Sequence, residues 1–407
     1  MNFAPAKVAE KPLKTLQVEI ERLLPGGVGL AHTEGLTVFV SLAAPGDVVR
    51  VRFDRTRGKV AFASIQEIIM PSPLRIEPPC PYFGRCGGCD FQQLKYETQL
   101  KAKVEIIRDC LHRIAHVEAP AEVNIHPSPN QWQYRARANW QVDPQTSALG
   151  YFERGSHEVC DVAECAVLVP ELQRTLETLR EGIREGTLQI PQGDIEAVAG
   201  DEAVSVIPNF RRIEEKQVSR KIGTDTYYFS AGAFFQINHS LLQSLIAEAI
   251  HEAHGKRALD LYCGAGLFTL PLARRFERVT SVDSNRTAAA FARRNLKNAQ
   301  LTNAKIVTSR VADWLRAKSN SFAGIDIVLL DPPRTGVEAG VIAGILKLHP
   351  ETISYVSCDP ATLARDLKEL LAGGYSLDSV MAFDMFPQTH HVETVARLSI
   401  ERETSKS

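Results

Sequence analysis

The chain has 407 residues, of which 44% are hydrophobic and 23% are charged, and its formal net charge is −1. This composition is typical of a soluble globular protein, and the length allows two to four domains. No apolar run approaches the roughly 20 residues that a membrane helix needs, and the first residues show no signal-peptide pattern. We therefore expect a cytoplasmic protein without a membrane partner. Residues 1–140 carry 18 Lys and Arg against 14 Asp and Glu, a mild basic excess that permits RNA binding.

Residues 13–70 contain short apolar segments that predict β-strands. The segments are LQVEIERLL, LTVFVSL, DVVRVRFD and KVAFASIQEII. Turn signals separate them, at Pro25-Gly26-Gly27, Glu34-Gly35, Pro45-Gly46 and Arg57-Gly58. About five short strands in roughly 60 residues are typical of a small OB-like barrel. We predict an N-terminal barrel domain over residues 1–70, and the strand pattern alone fits a barrel of another role as well.

The following segment, residues 71–235, is rich in cysteine. Cys80, Cys86 and Cys89 lie within ten residues in CPYFGRCGGC, and Cys160 and Cys165 follow in HEVCDVAEC. In a cytoplasmic protein such a cluster indicates metal binding before disulfides. Four thiolates suit either Zn²⁺ or an iron–sulfur cluster, and the spacing leaves both open. Apolar spacing also predicts a helix over 96–115, and a strand pattern follows at 132–142.

From residue 236 onward, apolar strands alternate with helical stretches. The strands are predicted around 258–264, 278–283, 305–314, 325–333 and 353–360. This alternation predicts a doubly wound, mostly parallel α/β sheet, in which ligands bind beyond the carboxyl ends of the strands. The motifs described next all lie at such ends, so we expect them to form one site.

The first of these strands ends in a loop with Gly264 and Gly266, and Asp283 ends the second strand 17 residues later. Glycines let the backbone approach a ligand closely, and a carboxylate after the second strand can accept both ribose hydroxyls. Thr269 stands where a dinucleotide-binding motif has its third glycine. The motif therefore favours a nucleoside cofactor such as S-adenosylmethionine over a dinucleotide, and a glycine turn without a ligand is the alternative.

The fourth strand ends in Asp331-Pro-Pro-Arg334. Enzymes that methylate amino groups have a similar Pro-Pro loop, with an aromatic residue where this chain has Arg334. The arginine argues against base stacking at this point. We expect the rigid Pro-Pro turn to direct the Asp331 carboxylate toward the cofactor or toward a base edge.

Cys358 lies 27 residues after Asp331, and Glu393 lies 35 residues further on. Carbon 5 of uracil is too weak a nucleophile to take a methyl group directly, but a thiolate that adds to C6 converts the ring to an enolate. A base must then remove the C5 proton so that the cysteine can leave. We predict Cys358 as the nucleophile, with a lowered pKa, and Glu393 as the base, with His390 and His391 as alternatives. A buried structural cysteine and a solvated surface glutamate are the competing interpretations.

Six segments in order carry a family resemblance: CPYFGRCGGC, FFQIN, DLYCGAGLFT, DPPRTG, SCDPATLARDL and HHVET. Together they resemble the class I RNA uracil-5-methyltransferases, the family that makes 5-methyluridine in 23S ribosomal RNA. The resemblance covers nearly the whole chain. It implies a Rossmann-like methyltransferase domain over 236–407, a TRAM domain as the N-terminal barrel, and a central β-rich iron–sulfur domain over 71–235.

The resemblance also implies roles for particular residues. A 4Fe–4S cluster would be held by Cys80, Cys86, Cys89 and Cys165, and Cys160 would be free. The cluster would have a structural role or would position the RNA. S-adenosylmethionine would be bound by Gln236, Tyr262, Gly264, Gly266, Asp283 and Asp331, with further contacts near Leu267 and Asp313. Cys358 matches the family's nucleophile and Glu393 its base.

Two more features concern RNA and the nucleophile. Arg135 and Arg137 resemble positions near the RNA, and a surface salt bridge is the alternative for either. Asp359 stands where many relatives have Asn, and its carboxylate would raise the Cys358 pKa unless it points away or is paired. The target base must leave any stack to reach Cys358, so we expect the enzyme to bind single-stranded RNA and to flip the base. We also expect the protein to be a monomer.

Four other functions compete with ribosomal RNA uracil methylation. Methylation of a base amino group would need neither Cys358 nor Glu393, and C5 methylation of cytosine would also use a thiolate. A non-catalytic RNA chaperone would use the barrel and the metal domain without binding S-adenosylmethionine. The fourth keeps the uracil chemistry and changes the substrate to the T-loop of transfer RNA.

Overall fold

The structure, a computed structural model, describes residues 15–33, 35–188, 193–210, 217–318 and 324–400. Its N-terminal part is a six-stranded sheet in the order β1-β5-β6-β4-β3-β2. These strands are β1 (Thr15–Glu19), β2 (Arg22–Leu24), β3 (Val28–Thr33), β4 (Leu36–Val40), β5 (Val48–Arg57) and β6 (Val60–Met70). Because alternate residues of a strand point to opposite faces, side chains such as Val49 and Val51 are buried together with those of the neighbouring strands.

The predicted strands of this part are present, with differences in number and division. LQVEIERLL is divided into β1 and β2, so the sheet has six strands rather than about five. Three of the four predicted turns join consecutive strands, and Gly26, Gly46 and Gly58 have the positive φ angles that favour glycine there. The fourth predicted turn is Glu34-Gly35, and its residue Glu34 lies outside the described residues. Residues 13 and 14, at the start of the predicted strand region, also lie outside them.

A second, five-stranded antiparallel sheet follows, in the order β10-β9-β8-β11-β12. Its strands are β8 (Arg137–Asp143), β9 (Ala148–Phe152), β10 (Val159–Asp161), β11 (Asp194–Ala199) and β12 (Val204–Ile207). Helix α2 (Pro170–Arg184) covers this sheet, and it begins at a proline, which suits the first turn of a helix. Leu172, Leu176, Leu179 and Ile183 recur every three or four residues and bury one face of α2 against Trp140. A separate hairpin, β13 (Val218–Ile222) and β14 (Asp225–Phe229), leads to the last part of the chain.

The largest sheet has eight strands in the order β17-β16-β15-β18-β19-β21-β20-β7. Its strands are β7 (Asn124–His126), β15 (Gly255–Leu261), β16 (Phe276–Asp283), β17 (Ala304–Thr308), β18 (Ile327–Leu330), β19 (Thr352–Ser357), β20 (Tyr375–Phe383) and β21 (Glu393–Ile400). The helices around it are α3 (Leu242–Ile250), α4 (Thr269–Ala273), α5 (Arg286–Asn298), α6 (Val311–Lys318), α7 (Val341–Leu348) and α8 (Pro360–Ala372). All four residues of β18 are buried, as expected for a central strand covered on both faces. The doubly wound α/β fold is therefore confirmed.

Two details of this sheet differ from the sequence prediction. The segment 305–314 is a strand only as far as Thr308, after which α6 begins at Val311. Strand β7 pairs in parallel with β20, although its residues lie within the segment predicted as the central domain. The last strand, β21, runs antiparallel to both β19 and β20, and it lies between them.

Helix α1 (Tyr96–Cys110), which continues as a π-helical turn over Leu111–Ala115, lies within the predicted helix 96–115. Its buried residues Ile106 and Cys110 share a core with Ala364 of α8, so α1 packs on the α/β part of the chain. The domain boundaries at residues 70 and 235 stay a prediction. Among the described residues, no helix is both long enough and apolar enough to cross a membrane.

Candidate active site

The glycine loop after β15 bends sharply, because Tyr262, Gly264 and Gly266 all have positive φ angles of 63°, 55° and 90°. Below the loop, Asp260 is fully buried and accepts a hydrogen bond from the Thr269 hydroxyl. Burial raises the pKa of Asp260 to about 7, while the Thr269 hydrogen bond opposes this increase. Thr269, which replaces the third glycine of a dinucleotide motif, therefore ties the start of α4 to the strand that carries the loop.

Asp283, at the end of β16, lies directly beside the glycine loop. Its Oδ2 accepts a hydrogen bond from the Gly264 N–H at 2.8 Å, and its Oδ1 accepts one from the Asn285 N–H at 2.7 Å. Each carboxylate oxygen keeps a further lone pair as an acceptor. The two backbone donors fix the orientation of the carboxylate, which is then available for a pair of vicinal hydroxyl groups.

Asp283→Ala is expected to weaken S-adenosylmethionine binding by about 10- to 100-fold, since a hydrogen bond to a charged group contributes about 1.5–3 kcal/mol. Isothermal titration calorimetry measures this change directly. Glu277→Ala, an exposed carboxylate on the same strand, is the matched control and should leave the affinity unchanged. Equal affinity of Asp283→Ala and the control would remove Asp283 from the cofactor site.

Gln236 and Asp331 come together from distant parts of the sequence. Gln236 is 3% exposed, and its Nε2 donates a hydrogen bond of 3.3 Å to Asp331 Oδ2, which directly follows β18. Burial raises the pKa of Asp331 to about 7, and the hydrogen bond from Gln236 opposes this increase. The predicted Pro-Pro turn therefore presents a carboxyl group at the same strand ends as Gly264 and Asp283.

Cys358 and Glu393 lie at neighbouring ends of two adjacent antiparallel strands. The last pair of β19 and β21 is Ser357 with Thr394, Cys358 directly follows β19, and Glu393 is the first residue of β21, so the Glu393 carboxylate is an electrostatic neighbour of the Cys358 thiol. Glu393 is 1% exposed, and its Oε1 has no hydrogen-bond partner among the described residues. Burial and the neighbouring Asp331 raise the pKa of Glu393 well above its usual range, and Arg334 opposes this increase.

The prediction of a lowered pKa for Cys358 is wrong for this structure. Burial, followed by the Glu393 carboxylate, raises the Cys358 pKa to about 12, and the nearby Arg334 guanidinium opposes the increase only in part. The physical reason is that a thiolate in a buried site beside carboxyl groups loses hydration and is repelled. The site therefore holds a neutral thiol at neutral pH.

Alkylation of Cys358 by iodoacetamide, in protein without added RNA, should accelerate about tenfold per pH unit from about pH 7 to about pH 9.5. The thiolate is the reactive form, and its fraction rises tenfold per unit below the thiol pKa. Mass spectrometry of the Cys358 peptide gives the rate. Arg334→Met should slow the reaction and Glu393→Gln should accelerate it, because these side chains shift the Cys358 pKa in opposite directions. A plateau below about pH 9 would show that the thiol pKa is not raised.

The Asp359 carboxylate is paired with backbone. It caps the N-terminus of α8, where Oδ1 accepts a hydrogen bond of 2.8 Å from the Thr362 N–H. This is the usual role of an N-cap aspartate. The substitution of Asp for Asn is compatible with the site, since either side chain can cap a helix.

The two alternative bases are differently placed from Glu393. The His390 ring pairs with Asp90, and the His390 N–H donates to Asp90 Oδ1 at 2.8 Å. Burial and the neighbouring His390 lower the pKa of His391 to about 2, so its ring is a weak base at neutral pH. Of the three predicted candidates, Glu393 has the free buried oxygen that proton removal requires.

Four of the predicted metal-binding cysteines line one small cavity, namely Cys80, Cys86, Cys89 and Cys165. Cys160 is buried on β10 and does not line it. Among the described residues, no group of three or more His, Cys, Asp or Glu side chains is arranged to hold a metal ion. Burial raises the pKa of Cys86 to about 11 and that of Cys89 to about 12. The four thiols therefore share one cavity, but among the described residues they are not arranged as the ligands of a metal ion.

Arg135 belongs to this cysteine cavity rather than to an outer surface. The Arg135 Nη2 donates a hydrogen bond of 3.4 Å to the Gly88 carbonyl oxygen. The Arg135 Nε is buried and has no hydrogen-bond partner among the described residues, and Arg135 lines the cavity. Arg137 pairs with Glu196 and donates to the carbonyl oxygens of Ala231 and Ala233. For Arg137 the salt-bridge alternative is the one observed, and its role is to hold the loop that precedes Gln236.

Phe234 was not singled out by the sequence analysis, although FFQIN was recognised as a motif. Its side chain is 58% exposed, and its carbonyl oxygen lies close to Gly264. The next residue, Phe235, is buried and stacks on Phe229 with ring centroids 4.0 Å apart. The sequence gives no signal for this difference, because two adjacent phenylalanines look alike until packing buries one of them and exposes the other. Leu267 is buried in the core, and Asp313 is half exposed and pairs with Arg316. Their cofactor roles stay predictions.

Comparisons with known proteins agree with this geometry. The model of the tRNA (uracil-5-)-methyltransferase family matches residues 212–400, and that of the TRAM domain of tRNA (uracil(54)-C(5))-methyltransferase matches residues 16–74. The 23S rRNA (uracil(1939)-C(5))-methyltransferase RlmD of Pectobacterium atrosepticum is 33% identical, over 95% of this chain and 94% of that protein. An uncharacterized RNA methyltransferase of Aquifex aeolicus is 31% identical, over 96% of this chain and 99% of that protein.

A solved structure is similar over almost the whole fold. The crystal structure of Pyrococcus abyssi tRNA (uracil-54, C5)-methyltransferase in complex with S-adenosyl-L-homocysteine has a TM-score of 0.73 at 26% identity. It covers 94% of this chain, and all of that chain is matched. The similarity therefore extends over the barrel, the cysteine segment and the α/β sheet.

Proposed function

The chain belongs to the RNA (uracil-5-)-methyltransferase family, whose members transfer a methyl group from S-adenosylmethionine, and from that premise we propose the residues and the RNA that this enzyme uses. Cys358 is the nucleophile and Glu393 is the base. The observation that supports this assignment is the proximity of Cys358, directly after β19, to Glu393 at the start of β21, at the edge of the sheet that also carries Asp283 and Asp331.

The reaction starts when the Cys358 thiol loses its proton to solvent and the resulting thiolate sulfur adds to C6 of the flipped uracil. The electron pair of the C5–C6 double bond moves into the ring as an enolate, and C5 then attacks the methyl group of the sulfonium, releasing S-adenosylhomocysteine. Glu393 removes the proton from C5, the double bond reforms, and the C6–sulfur bond breaks. A buried carboxylate with a raised pKa is a stronger base than an exposed one, which suits Glu393 to this step.

The neighbouring groups position the two reactants. Asp283 binds the ribose hydroxyls of the cofactor, and the Gly264–Gly266 turn lets the backbone approach it, with Tyr262 beside the turn. Gln236 and Asp331 contact the cofactor and lie between it and the target base, and Asp331 also orients the edge of the uracil. Arg334 stabilises the Cys358 thiolate, because its charge favours the ionised sulfur.

We propose 23S ribosomal RNA as the substrate, because the Pectobacterium relative with this name is similar over nearly the whole chain. Transfer RNA is the second candidate, favoured by the family model and by the Pyrococcus structure. The TRAM-like barrel binds the RNA, and the exposed Phe234 ring offers a stacking surface next to the site for a base that has left its stack. The monomeric state, the cytoplasmic location and the domain boundaries at residues 70 and 235 stay predictions.

We further propose that Cys80, Cys86, Cys89 and Cys165 hold a 4Fe–4S cluster. The fit rests on four thiols at one cavity and on the buried Arg135 guanidinium beside them, since a buried cation requires a negative partner. These four cysteines would supply the thiolate ligands of such a cluster. It would cross-link the cysteine loops, and the methyl transfer needs no electron from it.

The cluster proposal is tested by iron, zinc and acid-labile sulfide analysis of anaerobically purified protein. Iron and sulfide in about equal amounts, near four of each per chain, are expected. Cys165→Ser should lose most of the iron, whereas Cys160→Ser should retain it. Zinc without sulfide would show that the four cysteines hold a zinc ion rather than a cluster. Loss of iron in Cys160→Ser but not in Cys165→Ser would make Cys160 the fourth ligand.

Methylation itself is tested with anaerobically purified protein, methyl-labelled S-adenosylmethionine, and unmodified 23S ribosomal RNA or transfer RNA. Nucleoside mass spectrometry should find the label in 5-methyluridine of ribosomal RNA. Label in 5-methyluridine of transfer RNA would select the second substrate. Label only in methyladenosine or methylcytidine would contradict the proposed mechanism.

A further inference from the structure

The loop that leads into Glu393, residues 384–392, is held largely by a distant part of the chain. We call it the base loop. The N–H groups of Asp90 and Phe91 both donate to the Gln388 carbonyl oxygen, at 3.1 and 3.0 Å. The Asp90 carboxylate in turn accepts the His390 N–H at 2.8 Å and pairs with the His390 ring. Four contacts, three from Asp90 and one from Phe91, thus join the two residues after Cys89 to the base loop.

Helix α1 holds the other end of the same loop. Gln99 and Gln388 exchange two hydrogen bonds of 3.0 Å, one between the side chains and one from the Gln388 N–H. Lys103, fully buried, pairs with Asp384 and donates to the Phe386 carbonyl oxygen at 3.0 Å. These contacts fix the start and the middle of the base loop, so the Asp90 contact is the one nearest to Glu393.

The nucleophile is held separately from this arrangement. Cys358 lies between β19 and α8, and its flanking residues are fixed by the strand pairing and by the Asp359 cap. Displacement of the base loop would therefore move Glu393 more than Cys358. Small displacements of a catalytic group matter, because a misplacement of about 1 Å can slow a step about 100-fold.

We propose that Asp90 is a positioning residue for the proton-removal step of the reaction. It acts through His390, three residues before Glu393, and it leaves cofactor binding and attack by Cys358 intact. Asp90 directly follows Cys89. A group bound by the Cys89 thiol would therefore also fix the position of Asp90 and, through it, the position of the base loop. This inference rests on the proposed function, in which Glu393 is the base.

The test is single-turnover methylation followed over time on a denaturing gel, with labelled S-adenosylmethionine and the RNA substrate. Asp90→Ala is expected to accumulate a methylated covalent protein–RNA adduct and to release product at least about tenfold more slowly than the unmodified protein. Its iron content and cofactor affinity should stay unchanged. Asp90→Asn, which keeps an oxygen acceptor for the His390 N–H, should recover most of the release rate. Glu97→Ala, an exposed carboxylate on α1, is the matched control.

Glu393→Gln separates failure of this inference from failure of the proposed function. If Glu393→Gln traps no adduct, the assignment of the base is wrong. If it does trap the adduct while Asp90→Ala, with full iron content, releases product at the normal rate, the role of Asp90 is wrong. Should Asp90→Ala lose iron, His390→Asn breaks the ring contact without altering the cysteine loop, and normal release by that variant would overturn the proposal.

Discussion

Glu393→Gln should convert the enzyme into one that methylates a single uracil and then stays bound to it. Glutamine cannot accept the C5 proton, so the cysteine cannot leave, and turnover should fall by about 10²- to 10⁴-fold, the usual contribution of a general base. The expected product is a protein–RNA adduct that survives denaturation and carries the methyl label. It should form at least as fast as with the unmodified protein, because loss of the Glu393 carboxylate lowers the Cys358 pKa.

The pH dependence of adduct breakdown gives a second check on Glu393. Because its pKa is raised by burial and by Asp331, the carboxylate form that acts as base becomes more abundant as the pH rises. Release by the unmodified protein should therefore accelerate with increasing pH until Glu393 is fully ionised. Glu369→Gln, on the exposed face of α8, is the control and should trap nothing. Unlabelled adduct in Glu393→Gln would instead place the defect before methyl transfer.

Cys358→Ala should abolish turnover, with a loss of at least about 10⁴-fold, since removal of a covalent nucleophile leaves only binding contributions. Neither adduct nor 5-methyluridine is expected. Binding of S-adenosylmethionine should persist, because the proposed cofactor contacts, which are Gln236 and the residues at the carboxyl ends of β15, β16 and β18, do not include Cys358. Calorimetry of the variant and the methylation assay measure the two properties in the same preparation.

The Cys358→Ala result also distinguishes between the competing mechanisms. Methylation of a base amino group needs no thiol, so activity retained by this variant would support that alternative. Loss of activity together with loss of cofactor binding would indicate a damaged fold rather than a missing nucleophile. Formation of 5-methylcytidine by the unmodified protein would agree with the thiol mechanism and would show that the target nucleobase is cytosine.

Much of the site could be predicted because parallel α/β sheets collect their strand ends at one edge. Gly264, Asp283 and Asp331 each follow an apolar strand, and the order of those strands is enough to bring the three together. The substitution of Thr269 for a glycine pointed away from a dinucleotide. The cysteine spacing likewise predicted one cluster, and four of the five candidates line a single cavity.

The electrostatics of the site could not be read from residue order. A cysteine nucleophile suggests a lowered pKa, yet the Cys358 pKa is raised to about 12. The shift depends on how much water reaches the sulfur and on the carboxyl group across the strand pair, and both are properties of packing. Asp359 is a second example, because the residue order did not show that its side chain caps α8.

By itself, the sequence determined the α/β class, the strand-end motifs and the residue types that the chemistry needs, because these depend on local pattern and on short connections. Only the tertiary structure decided that β21 inserts antiparallel beside β19 and so places Glu393 near Cys358. It also decided that Asp90 holds the loop before Glu393, a contact across 300 residues of chain. Long-range contacts of this kind leave no periodicity in the sequence, since they arise when separately folded elements pack together.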